Sequence, residues 1–133
     1  IRKIKFQDAQ CILIAAALPY VWVGIAKASG ERMDNRDPRG WIAKQTHPRV
    51  RRGNAAQLNA FEAFAPFAAG VLMAQAAGVD ADRIATLAIL FVACRVLHGV
   101  FYLGDKHLLR SLSWTVGIGC VVALIILAAL RTA

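Results

Sequence analysis

Seven residues combine types and spacings that suit chemistry. Arg52, Asn59 and Glu62 are separated by seven and three positions, Arg95, His98 and Tyr102 by three and four, and Arg110 follows eight residues later. Positions three, four or seven apart share one stripe of an α-helix. The first set therefore lines up a cation, a carboxamide and a carboxylate, and the second a cation, an imidazole and a phenol. Two chemistries fit these groups. In one, Glu62 and Arg95 form a buried ion pair that fixes helix register, with Asn59, His98 and Tyr102 meeting its spare donors and acceptors. In the other, the cluster lines a pocket for an anionic, amphipathic small molecule, with Arg52 and Arg110 as a guanidinium rim suited to carboxylates.

The elements that must position these residues follow from where charge is absent. The chain has 133 residues, 58% of them hydrophobic, yet 16 Lys+Arg against 8 Asp+Glu give a net charge of +8. Ala9–Ala26, Ala63–Val79 and Ser111–Leu130 contain no Asp, Glu, Lys or Arg, and Ile84–Gly104 contains only Arg95. Each run comes close to the roughly 20 apolar residues that cross a hydrocarbon core about 30 Å thick. Spans of this length must be helices, because lipid offers no partner for open backbone groups. The sequence thus predicts an all-α membrane protein: one domain over residues 1–133, a four-helix up-down bundle with spans at 7–27, 54–78, 82–103 and 108–130. The loop over 28–53 is rich in turn formers, Asp34-Asn35-Arg36-Asp37-Pro38-Arg39-Gly40, with both aspartates expected to cap turns. The later connections, at Gly78-Val79-Asp80 and Gly104-Asp105-Lys106, are short, so successive helices run antiparallel. Both polar stripes then lie toward the same end of the bundle.

This composition excludes intrinsic disorder, which needs low hydrophobicity. Cys11, Cys94 and Cys120 all fall in apolar runs, without metal or redox spacing, and read as packing residues. His47 and His107 lack a third ligand at metal spacing, so no metal is assigned. Trp22, Tyr20 and Trp41 read as bilayer-interface or packing aromatics. Basic Arg2, Lys3 and Lys5 precede the first run in the manner of a signal peptide, but that run is long and leads into three more spans, so it is read as a helix. The chain begins with Ile, which leaves room for residues upstream.

Basic residues divide unevenly. Lys27, Arg32, Arg36, Arg39, Lys44, Arg49, Arg51 and Arg52 lie in the long loop, and Lys106 and Arg110 flank the third connection on the same side. The other side holds Arg2, Lys3, Lys5, Arg83 and Arg131. The positive-inside rule puts the long loop in the cytoplasm and both termini outside. The run His47-Pro-Arg-Val-Arg-Arg52 suits anionic lipid headgroups. Nothing in it reads bases, and no nucleic-acid partner is expected.

The run Arg52-Gly-Asn-Ala-Ala-Gln-Leu-Asn59-Ala-Phe-Glu62-Ala-Phe-Ala-Pro66-Phe67 resembles the second-helix signature of the MAPEG family, the membrane-associated proteins in eicosanoid and glutathione metabolism. Arg95-x-x-His98-x-x-x-Tyr102 and Leu109-Arg110-Ser111-Leu112-Ser113-Trp114 resemble its third helix and the start of its fourth, and the Asp34–Arg39 loop resembles its bacterial branch. The resemblance covers nearly the whole chain. It implies a homotrimer in the bacterial inner membrane, with glutathione held in a U shape between subunits near the cytoplasmic side. Arg110 matches the arginine that stabilises the glutathione thiolate for attack on a lipophilic electrophile. Arg52, Asn59, Glu62, Arg95 and Tyr102 match positions that contact the peptide. His98 stands where a tyrosine is common and joins the same set, while Ala55 stands where a second arginine is found. The implied activity is that of a glutathione transferase or peroxidase for lipophilic electrophiles or lipid hydroperoxides. Those two departures also admit a non-catalytic accessory or lipid-binding subunit on the same scaffold, within a larger membrane complex.

Overall fold

A computed structural model describes residues 4–133. Arg2 and Lys3, counted above for orientation, lie outside the described residues. The described chain is helical throughout: α1 (Phe6–Ala28), α2 (Pro38–Lys44), α3 (Pro48–Ala77), α4 (Ala81–Leu103) and α5 (His107–Thr132). All but α2 are long and apolar enough to cross a membrane. Consecutive long helices alternate in direction, so one end of the bundle gathers the start of α1, the end of α3, the start of α4 and the end of α5.

α3 is the hub and packs on α1, α4 and α5, while α4 also packs on α5 and α1. The main core is built where the four long helices meet, around Phe67, Val71, Phe91, Val121 and Leu124. The Phe67 and Phe91 rings stack with centroids 3.9 Å apart. In lipid the tails are as apolar as leucine, so helices associate through close packing more than through burial from water. Small residues make that packing possible. A Cβ on Gly53 would come within 2.7 Å of Ala26 Cβ, and one on Gly99 would overlap the Trp22 ring. Those two glycines set how closely α1 approaches α3 and α4. Cys11, Cys94 and Cys120 are buried and free, in keeping with a packing role.

Two elements depart from the expected boundaries. The long loop contains α2, capped by Asp37, whose Oδ1 accepts from Gly40 N at 3.0 Å. Trp41 anchors α2 in a small cluster with Ala26 and Val50. Asp34 does close a turn, accepting from the Arg36 backbone and guanidinium, and that cation holds its carboxyl below the usual range. Further, α3 begins at Pro48, six residues before the expected start at 54. The basic run is therefore its first turns: His47 Nδ1 accepts from Arg49 N at 3.2 Å, and Pro48 sits where a helix needs no N–H. An apolar window misses this extension, because a helix can continue past the bilayer into water.

At the opposite end, Asp8 on α1 is 1% exposed. Its Oδ2 accepts from Gln75 Nε2 of α3 at 2.6 Å. Asp8 Oδ1 and Gln75 Oε1 are also buried and have no protein partner. This contact ties the start of α1 to the end of α3 across 67 positions, and the sequence reading did not single it out.

Candidate functional site

The site lies where α3, α4 and the start of α5 meet, at the end of the bundle bearing the long loop. Asn59, about three turns into α3, faces α4. Its Oδ1 accepts from Arg95 NH2 at 2.8 Å. Arg95 is only 4% exposed, and no carboxylate among the described residues lies within 4.0 Å of it. This corrects the expected Glu62–Arg95 ion pair. Positions three apart are offset by only about 60° around a helix, but Asn59 is the one that meets Arg95, while Glu62 is exposed on the protomer surface and outside ion-pair distance. The buried cation is left with a neutral carboxamide as its hydrogen-bond partner.

His98 follows Arg95 on the same stripe of α4. It is 3% exposed, and its Nδ1 is buried without a partner. Its ring meets Tyr102 edge to face, with centroids 5.5 Å apart. On the other side of that phenol, the Arg110 guanidinium carbon sits 4.5 Å from the ring centroid. A cation over a tyrosine face is held by the ring quadrupole, worth about 0.5–2 kcal/mol. The α4–α5 turn makes this contact possible: Asp105 adopts φ 57°, and Lys106 N donates to Phe101 O at 2.9 Å, which reverses the chain tightly enough to bring Arg110 back over Tyr102.

Asn59, His98, Tyr102 and Arg110 line one cavity of about 430 Å³, completed by Ser111, Trp114 and Thr115. Ser111 and Trp114 belong to the sequence motif and Thr115 follows it, but the sequence assigned none of the three to the site. Their signal was available, since positions 111, 114 and 115 cluster with 110 on one side of a helix. Arg52 stands apart, with its NH1 3.7 Å from Asp105 Oδ2 at the rim and its Nε buried without a partner. The structure therefore brings together Asn59, Arg95, His98, Tyr102 and Arg110, sets Arg52 at the edge, and leaves Glu62 outside. A second cavity, of about 460 Å³, opens on the α1–α2–α3 side, where Lys27, Arg39, Asn54 and Gln57 overlie Val23, Leu58 and Phe61.

A polar cavity that Arg110 lines, set within four membrane-length helices, belongs to a multi-pass membrane protein. The profile of the MAPEG family matches residues 9–130, and the chain belongs to that family. No curated protein and no solved structure matches it.

Proposed function

We propose that this protein is a glutathione-dependent transferase or peroxidase acting on lipophilic electrophiles or lipid hydroperoxides. The observation that carries this reading is a cavity lined by the Arg110 guanidinium, with the buried Arg95 guanidinium hydrogen-bonded behind its lining residue Asn59, and among the described residues neither cation has a carboxylate within 4.0 Å. An uncompensated charge at membrane depth costs several kcal/mol, and an anionic ligand offsets that cost. Glutathione supplies two carboxylates and a thiol. Arg110, held on Tyr102 at the cavity mouth, stabilises the thiolate over the thiol and so raises the nucleophilic fraction at neutral pH. The thiolate attacks an electrophilic carbon arriving from the bilayer and expels its leaving group, or attacks a hydroperoxide oxygen and breaks the O–O bond. The second route gives an alcohol and a glutathione sulfenic acid that a second glutathione converts to the disulfide and water. Arg95, Asn59 and His98 bind the peptide, and Arg52 guards the rim.

The reading extends to a homotrimer in the bacterial inner membrane, with the long loop cytoplasmic and the termini outside. Two features support a cyclic assembly. Glu62 is exposed well inside a membrane span, where a carboxylate needs a polar neighbour. The two cavities open on different sides of α3, so a head-to-tail ring sets the Lys27–Gln57 cavity of one protomer against the Arg110 cavity of the next.

The test is glutathione binding by calorimetry and conjugation of a chloronitrobenzene by the detergent-purified protein. Wild type is expected to bind at millimolar concentration or better and to turn over, and Arg110→Ala to lose turnover. Absence of both binding and conjugation in wild type overturns the proposal.

A further inference from the structure

At the end of the bundle away from the cation-framed chamber, two cavities adjoin between α4 and α5. They share Arg83 and Leu127. The deeper one, about 640 Å³, is walled by Leu87, Ala123, Ile126 and Leu127 and is almost wholly apolar. The outer one is polar, and Asp80, Arg83 and Arg131 surround it, with Asp82 at the boundary. At 1.5 Å per residue, the groove runs about 12 Å down α5 from Arg131 to Ala123. It is thus mainly apolar along the helices, with Asp82 and Arg83 at its edge and the other charges at its mouth, the order of polarity of an acyl chain and its headgroup.

The charges at the mouth are balanced. Two guanidiniums and two carboxylates gather there, and among the described residues none of the four is in an ion pair within 4.0 Å. Asp80 caps α4 by accepting from Arg83 N at 3.2 Å through Oδ2, which leaves Oδ1 free for a second donor. Two arginines alone would favour an anionic headgroup. With two carboxylates beside them, an anionic lipid gains little, whereas a headgroup carrying both a phosphate and an N–H cation meets both signs. We propose that this groove binds a zwitterionic phospholipid with a primary ammonium, of the phosphatidylethanolamine class. Its phosphate lies between Arg83 and Arg131, its ammonium is directed to Asp80 and Asp82, and one acyl chain follows Leu87, Leu127 and Ala123. A quaternary choline ammonium has no N–H to donate and is the discriminating analogue. The site is separate from the proposed glutathione chamber and does not depend on it.

The experiment is native mass spectrometry of delipidated protein titrated with dioleoyl phosphatidylethanolamine, phosphatidylcholine and phosphatidylglycerol. Wild type is expected to retain the ethanolamine lipid about fivefold or more over the other two. The double variant Arg83→Gln/Arg131→Gln is expected to weaken retention about tenfold, taking roughly a fewfold loss per cation near the surface. Asp82→Asn is expected to erase the preference over phosphatidylcholine while leaving general lipid binding. Ala123→Trp, which fills the groove and leaves the mouth intact, is expected to abolish retention in a protein whose helical circular dichroism and elution volume match wild type. Equal retention of the three lipids by wild type, or unchanged retention in both the double variant and Ala123→Trp, overturns the proposal.

Discussion

Arg95 illustrates how one side chain can be structural and unfinished together. Its guanidinium is buried, and the hydrogen bond it makes goes to the neutral Asn59. Removing the acceptor exposes the cost of that arrangement. Asn59→Ala is expected to destabilise the protein by about 1.5–3 kcal/mol, the usual range for a bond to a charged group, read as a lower thermal transition in detergent. Adding Arg95→Leu is expected to recover most of that loss, because the buried charge leaves with its partner, while glutathione binding stays lost. Tyr102 separates two roles in the same way. Tyr102→Phe keeps the ring beneath Arg110 and is expected to retain most turnover, whereas Tyr102→Leu removes the cation–π contact and lowers kcat/KM by about two- to thirtyfold. The site residues on α3 and α4 were visible in the sequence as stripes, whereas Ser111, Trp114 and Thr115 on α5 were not assigned to it. What the stripe could not give was its rotation: the sequence paired Glu62 with Arg95, and the angle at which α3 faces α4 selected the Asn59 carboxamide instead.

The helices themselves were legible because lipid imposes so strict a length and composition. Their ends in water were not. The start of α3 at Pro48 and the whole of α2 carry charge, and a reading based on apolar runs assigns such residues to loops. The Asp8–Gln75 contact was hidden for another reason, since a polar pair split between two helix ends has no local pattern. It predicts that Gln75→Leu, which leaves the Asp8 carboxyl buried without its donor, destabilises the bundle by about 1–3 kcal/mol. Close helix approach gives a sharper test. Gly99→Ala places a methyl into the Trp22 ring and is expected to cost about 1–3 kcal/mol, and Trp22→Leu in the same chain is expected to restore part of it. Both effects are measurable as shifts in the thermal transition.

For the molecule as a whole, charge segregation and open cavities make two separable predictions. If the long loop is cytoplasmic, a cysteine replacing exposed Arg32 in a chain whose three buried cysteines are changed to alanine is labelled by an impermeant maleimide only after the cells are opened. Labelling in intact cells reverses the topology. If neighbouring protomers complete the chamber, native mass spectrometry shows three chains, and Glu62→Leu shifts that distribution or weakens glutathione binding without unfolding the protomer. Assembly was the level least accessible to the sequence, because a residue exposed on one chain and covered by another looks the same in either state.

The turn between α4 and α5 governs more than chain reversal. Tyr102 stands before it and Arg110 after it, so the register of the two residues is set by how many positions lie between them. One inserted residue would swing α5 by about 100° relative to α4 and carry the guanidinium off the phenol. Elsewhere in a membrane bundle a short connection tolerates changes of length. Here the number of residues from Gly104 to Lys106 acts as a gauge for the Arg110–Tyr102 contact, and a variant that preserves that contact has to keep the number even where it changes every letter.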